Sequence, residues 1–214
     1  MSTKPSQATG KSSKQFAVFD IDGTLYRGNL TWDFFKHLTK VGGIAQGFLD
    51  QIMPLYDSHD KREVENSYHV FDSTFITTLP RSVANISKLH EYWEAGHFIG
   101  THNATRLYTH TRNLLMKLKQ EGYILIAITY SIGAVAKPFA EQLGFDYILC
   151  SEEIVESKRI TGYLTFEGLT KGQALMQIIN DEGLLTKNSY GVGDTLSDAS
   201  FLCLVENPIA FNSE

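Results

Sequence analysis

The rhythm of apolar and polar positions changes several times along the chain. A short apolar run starting at Phe16 ends abruptly in Asp20, with Asp22, Gly23 and Thr24 directly after it. Such a run, bounded by polar residues and Gly, predicts a strand buried on both faces of a parallel sheet. Residues 26–103 carry no such signal, and their apolar positions recur at helical spacing. Thr31 is placed to cap a helix bearing Phe34, Phe35 and Leu38, with a stop at Gly42 and Gly43. Ile44, Phe48, Leu49, Ile52 and Tyr56 continue the pattern. Val64, Tyr68, Phe71 and Phe75 form a second stripe. Val83, Ile86, Leu89 and Trp93 form a third, ahead of Gly96. Aromatics at this spacing are expected in a core.

From residue 104 onward the pattern alternates between helix and strand. Leu107, Thr111, Leu114, Leu115 and Leu118 mark a helix that Gly122 ends. Residues 123–128 (YILIAI) predict a buried strand running into Thr129, Tyr130 and Ser131. Val135, Ala136, Phe139, Ala140 and Leu143 give the next helix, closed by Gly144. A third strand follows at 147–150, then a loop and hairpin over 151–168 with a short strand at 163–166. Lys171 and Gly172 open a helix, residues 189–192 predict a fourth strand ending in Gly193 and Asp194, and a short helix near 196–201 holds Asp198. The last core strand is expected at 202–205. Strands alternating with helices imply an α/β fold, a doubly wound parallel sheet. The expected division is a tail (1–14), a catalytic core (15–26 and 104–214) and an inserted α-helical cap (27–103).

Composition narrows the classes. The chain has 214 residues, 43% of them hydrophobic, enough for one large core. Net charge is −5, which argues against nucleic acid as a partner. No apolar run approaches a membrane span, so no membrane is expected. Residues 1–14 carry Lys4, Lys11 and Lys14 with no acid and no apolar stretch of a secretory signal, so they read as a disordered tail on a cytoplasmic protein. Cys150 and Cys203 each sit in an apolar run and are expected as reduced core residues. The seven histidines (37, 59, 69, 90, 97, 102 and 110) form no HExxH, so surface or half-buried positions are expected rather than a zinc site.

The acids after the first strand are the candidate chemistry. Strand side chains alternate, so Asp20 and Asp22 project to one side. Two buried carboxylates repel and are costly to desolvate. A hard divalent cation such as Mg²⁺ removes both problems and keeps open positions for water and a phosphate. Asp and Gly are ordinary turn residues, but the five specified positions of DxDGTL are expected by chance only about once in several thousand chains of this size. Sites in doubly wound sheets lie outside the carboxyl ends of the strands. Here Asp20 and Asp22, Thr129, and Asp194 all fall at such ends, with Lys171 at a helix start and Asp198 four residues past Asp194. Taken singly, Thr129 is an ordinary cap, Lys171 a solvated lysine, and Asp194 and Asp198 a cap and a surface acid. Their joint placement favours one site.

DIDGTL, AITYS, LTKGQAL and GVGDTLSDASFL resemble, in order and spacing, the four motifs of the haloacid dehalogenase superfamily of phosphohydrolases. The long insert and the ESKRITGYL segment resemble its phosphoserine-phosphatase-like branch. The resemblance implies a Rossmann-like core and a Mg²⁺-dependent phosphomonoester phosphatase acting on a small phosphorylated metabolite. It implies Asp20 as the nucleophile that forms an aspartyl-phosphate and Asp22 as general acid and base. It implies Mg²⁺ held by Asp20, the Asp22 carbonyl and Asp194, and a phosphoryl group held by Thr129, Lys171 and backbone near Tyr130 and Ser131. Asp198 would act from behind on metal-bound water or Lys171. The sequence departs from the branch at three points. Asn29 stands where those phosphatases place a glutamate, Thr129-Tyr130-Ser131 stands for their Ser-Gly-Gly, and the cap arginine has no clear match. Arg27 is a candidate for an anionic substrate tail or a surface arginine. The same motifs also fit a phosphotransferase or phosphomutase, and a non-catalytic domain binding a phosphorylated ligand is the alternative outside the enzymes. The substrate and the oligomeric state stay open at this stage.

Overall fold

In the computed structural model the described residues are 14–44, 47–50 and 86–211. The helical stripes over 52–83 and the histidines at 59 and 69 lie outside the described residues, as do residues 1–13. One six-stranded sheet has the order β4-β3-β2-β1-β5-β6. Its strands are β1 (Gln15–Asp20), β2 (Ile124–Ile132), β3 (Tyr147–Glu156), β4 (Arg159–Thr165), β5 (Leu185–Gly193) and β6 (Asn207–Ala210). β1 pairs in parallel with β2 and β5, β2 with β3, and β5 with β6, while β4 folds back antiparallel on β3.

The alternation of β1 shows why it sits in the middle. Phe16 and Val18 face a cluster with Leu175, Ile178 and Phe201, which come from α5 (Lys171–Glu182) and α6 (Ala199–Leu202). Ala17 and Phe19 face the opposite cluster. That second cluster draws on α1 (Leu30–Lys40), α2 (Leu89–Asn103), α3 (Thr109–Gln120) and α4 (Gly133–Leu143). Burying a large apolar side chain stabilises by about 1.5–3 kcal/mol, so a strand apolar on both sides is held between two helical layers.

Helices α1 and α2 pack on the core through aromatic rings and small residues. Phe34 of α1 meets Tyr92 of α2 edge to face at 4.9 Å. A Cβ on Gly96 would lie 2.5 Å from the Ala134 carbonyl oxygen, and one on Gly100 2.6 Å from that of Val135. Pro138 lies four residues past Ala134 and has no N–H to donate to its carbonyl. The α2 backbone packs directly against that carbonyl. Gly96 therefore does not stop a helix, as its position suggests; it lies inside α2, where the close crossing needs it.

Other expectations shift as well. The cap of α1 is Asn29, whose Oδ1 accepts from the Trp32 N–H at 2.9 Å, and not Thr31. Trp93 is 42% exposed, while the neighbouring Tyr92 takes the core position. The hairpin is longer than expected because β3 runs to Glu156 and pairs with β4 through Arg159. The last strand is β6, not 202–205. Leu202 ends α6, and the strand that pairs with β5 contains Pro208 and alternates in burial, so it lacks the apolar run that marks a central strand. Cys150 is buried, but Cys203 is exposed, because residue 203 caps the short α6 rather than entering the sheet. Both cysteines are free thiols.

Candidate active site

β1 is flanked by β2 on one side and β5 on the other, and the chain order reverses there. Ligands of doubly wound sheets bind at such switch points. Asp20 is the last residue of β1, Thr129, Tyr130 and Ser131 lie in the last part of β2, and Asp194 follows the end of β5. Lys171 is the first residue of α5, held there by a reciprocal cap between Thr170 and Gln173. The turn after β1 depends on Gly23. Its φ is +81°, and a Cβ there would sit 2.2 Å from Asp194 Oδ2. Next to it, the Thr24 hydroxyl donates to Asp194 Oδ1 at 2.9 Å.

On one side of the site is a buried ion cluster. The Lys171 ammonium donates to Asp20 Oδ1 and to Asp198 Oδ1, each at 2.7 Å. Lys171, Asp20 and Asp198 are 2%, 4% and 0% exposed, so the cluster is shielded from solvent. Asp198 Oδ2 accepts from the Asp194 N–H, the Thr195 N–H and the Thr195 hydroxyl, each at 3.0 Å. Burial would push the Lys171 ammonium down, but Asp20 and Asp198 outweigh it and hold it charged. Burial raises the Asp20 carboxyl well above its usual range, opposed by Lys171 and reinforced by Asp198, Asp194 and Asp22. Burial, opposed by the Thr24 hydrogen bond, brings Asp194 to about 6.

The other side of the site is held by neutral donors. Asp22 Oδ2 accepts from the Ser131 hydroxyl at 2.6 Å and the Thr129 hydroxyl at 3.0 Å. Asp22 Oδ1 accepts from the Leu30 N–H at 2.7 Å. Burial raises the Asp22 carboxyl, and these hydrogen bonds partly oppose it. The Thr129 Oγ1 also accepts from the Ser131 N–H at 3.0 Å. The Tyr130 ring lies 4.9 Å from the Lys171 ammonium and is tilted against Phe166 at 5.4 Å.

The structure thus brings together all eight residues read from the sequence: Asp20, Asp22, Thr129, Tyr130, Ser131, Lys171, Asp194 and Asp198. Arg27 is exposed and lies over the Tyr108 ring at 5.6 Å. Asn29 is engaged as the α1 cap. Two residues went unassigned by sequence reasoning. Thr24 stands inside DxDGTL and binds Asp194, and Thr31, read as a cap, binds Ser131 instead.

Carboxylate oxygens of Asp20, Asp194 and Asp198 lie within 4.8 Å of one another. An all-carboxylate oxygen set suits a hard divalent cation. Asp198 has both oxygens occupied by Lys171 and by the 194–195 backbone, so Asp20 and Asp194 are the side chains a cation would meet. Burial first, and the neighbouring carboxylates after it, raise both groups, and a cation would oppose both effects. The donor set therefore fits a divalent metal. The Asp22 carboxylate is outside that group and is held by Ser131, Thr129 and Leu30.

A family model for haloacid dehalogenase-like hydrolases matches residues 17–202. The chain belongs to this family. The match spans every strand end described above except β6. Among curated relatives, the phosphoserine phosphatase of Archaeoglobus fulgidus is 22% identical over 97% of this chain and 55% of that protein. The phosphoserine phosphatase of Methanocaldococcus jannaschii is 29% identical over 45% of this chain and 47% of that protein. The alignments with these two relatives thus span about half the length of each. A crystal structure of apo phosphoserine phosphatase superposes with a TM-score of 0.63 at 18% identity, covering 94% of this chain and 88% of that one. At that identity the likeness establishes the shared α/β fold. No helix among the described residues is long and apolar enough to cross a membrane.

Proposed function

We propose that this family member is a Mg²⁺-dependent phosphomonoester phosphatase working through an aspartyl-phosphate on Asp20, with a small phosphate ester as substrate. The observation that carries the reading is the pairing of two different carboxylates at one strand end. Asp20 sits against a charged lysine, and Asp22 sits among neutral donors. Asp20, Asp194 and the Asp22 carbonyl would hold Mg²⁺, which when bound supplies positive charge against the phosphoryl group.

In the first step an Asp20 oxygen bonds to phosphorus while the ester P–O bond breaks, and protonated Asp22 gives its proton to the departing alkoxide. In the second, Asp22 takes a proton from water as the water oxygen attacks phosphorus. The Asp20–phosphorus bond breaks and inorganic phosphate leaves. Lys171 remains charged throughout and offsets the charge on the phosphoryl oxygens. Asp198 fixes Lys171 and the 194–195 backbone. The Thr129 hydroxyl and backbone near Ser131 would turn to the phosphoryl oxygens when substrate arrives. Residues 27–103 would act as the cap that excludes water during transfer.

The test is phosphate release from a panel of phosphomonoesters, with and without Mg²⁺. Release that requires Mg²⁺ and disappears in Asp20→Asn is expected. Full activity in a folded Asp20→Asn protein would overturn the reading. Transfer to an added alcohol in preference to water would make the protein a phosphotransferase.

A further inference from the structure

The first turn of α1 is bonded directly to the site. Of its free backbone donors, the Leu30 N–H goes to Asp22 Oδ1 at 2.7 Å and the Thr31 N–H to Ser131 Oγ at 3.3 Å. The Trp32 N–H is satisfied by Asn29. Thr31 adds its side chain. Its hydroxyl donates to Ser131 Oγ at 3.0 Å and accepts from the Ile132 N–H at 3.1 Å. Thr31 is 3% exposed and Ser131 3% exposed, so water does not compete at either hydroxyl.

The proton inventory fixes a direction. A hydroxyl has one proton to give. Thr31 gives its proton to Ser131. Ser131 Oγ, already accepting from Thr31, gives its own to Asp22 Oδ2. The relay therefore runs Thr31 to Ser131 to Asp22, with its far end anchored on the Ile132 backbone at the start of α4. Without the Thr31 hydroxyl, Ser131 Oγ keeps only the longer bond from the Thr31 N–H at 3.3 Å to direct its proton toward Asp22, and the Ile132 N–H loses its acceptor.

We propose that Thr31 is a positioning residue for the acid–base step. Through Ser131 it holds Asp22 facing the leaving group, and it makes that orientation depend on the docking of α1. The inference rests on the phosphatase reading above. The hydrogen bonds of Thr31 lead to Ser131 and Ile132 and not to Asp20, so it acts on proton delivery and not on nucleophilic attack.

Leaving-group dependence separates those roles. Phenyl phosphate needs a proton at its departing oxygen, and p-nitrophenyl phosphate, with a far less basic leaving group, does not. Thr31→Val is close in shape and removes only the hydroxyl, and Thr31→Ser restores it. With Mg²⁺, Thr31→Val is expected to lower kcat on phenyl phosphate about tenfold, the worth of one hydrogen bond. KM and p-nitrophenyl phosphate turnover should change far less, and Thr31→Ser should recover most of the loss. Should Thr31→Val fold poorly in a thermal melt, Ser131→Ala interrupts the same relay and should show the same leaving-group dependence. Equal losses on both esters, no loss on either, or no recovery in Thr31→Ser would overturn the inference while leaving the phosphatase reading intact. A wild-type protein that releases phosphate from no ester of the panel, these two included, would overturn the phosphatase reading and this inference with it.

Discussion

Asp20 and Asp22 are two residues apart, the first buried and the second half-buried, and their surroundings differ in kind. Asp20 faces an ammonium that is itself bracketed by a second carboxylate. Asp22 faces two hydroxyls and one backbone N–H, all neutral. Burial raises both carboxyls, Asp20 well above its usual range; the Lys171 ammonium opposes this at Asp20, and the hydrogen bonds from Ser131, Leu30 and Thr129 oppose it at Asp22. The chemistry needs one carboxylate that stays an anion and one that carries a proton. In the proposed mechanism Asp20 is the anion, with Lys171 working against the cost of its burial, and Asp22 carries the proton; β1 keeps the two apart by lying between α5 on one side and the start of α1 on the other. On the proposed mechanism, two like residues in one short motif take unlike roles.

The strongest way to break the comparison is to exchange proton-carrying capacity for mere shape. Asp22→Asn keeps the size but carries no transferable proton. It should lower kcat on an ester with a basic leaving group by about 10²–10⁴-fold, with a melting curve close to that of wild type. Loss of the nucleophile side should appear in stability instead. Lys171→Met leaves Asp20 and Asp198 buried without their cation, and breaking a buried ionic cluster this way costs about 3–5 kcal/mol. Urea denaturation of the metal-free protein would show it. A cost near zero would mean that the ion cluster is not the feature that separates Asp20 from Asp22.

The smallest expected effect concerns pH. The folded pKa of Asp194 is raised to about 6, so the folded state binds its proton more tightly than the unfolded chain does. Its stabilising contribution is complete below the unfolded value of about 4 and is lost as pH rises through about 6. Mg²⁺ competes with that proton. The rise in Tm on adding Mg²⁺ should therefore be larger at about pH 8 than at about pH 5. Thermal melts with and without Mg²⁺ at the two pH values check it. An equal rise at both would place the cation away from Asp194.

Much of this site was legible in the chain because its signals are local. Apolar runs that end in acids mark β1 and β5, and a polar triplet after an apolar run marks the end of β2. Lys171 was visible as a helix start, but not its burial between two carboxylates, because that contact joins residues 151 positions apart. Thr31 was misassigned for a related reason. Sequence shows a capping residue type before a helical stripe, and Asn29 satisfies the same local rule two positions earlier. Only the tertiary approach of β2 shows that the Thr31 hydroxyl is used elsewhere. Gly96 looked like a terminator because chain statistics cannot separate a stop from a close helix crossing. The edge strand β6, with Pro208 and alternating exposure, does not carry the pattern of a central strand, so the apolar residues just before it were mistaken for one.

The central claim is that Asp20 carries the phosphoryl group. The direct measurement is to mix the protein with Mg²⁺ and a hydrolysed phosphomonoester, quench in acid, and map the peptides by mass. Asp22→Asn should be used beside wild type with p-nitrophenyl phosphate, whose leaving group needs no proton, so that only the water step is slowed and the intermediate accumulates. The account predicts one added phosphoryl group on the peptide from β1, located at Asp20, acid-stable and lost in mild base. Turnover with no phosphorylated peptide under conditions that hold the second step back, or a phosphoryl group on another residue, would contradict it.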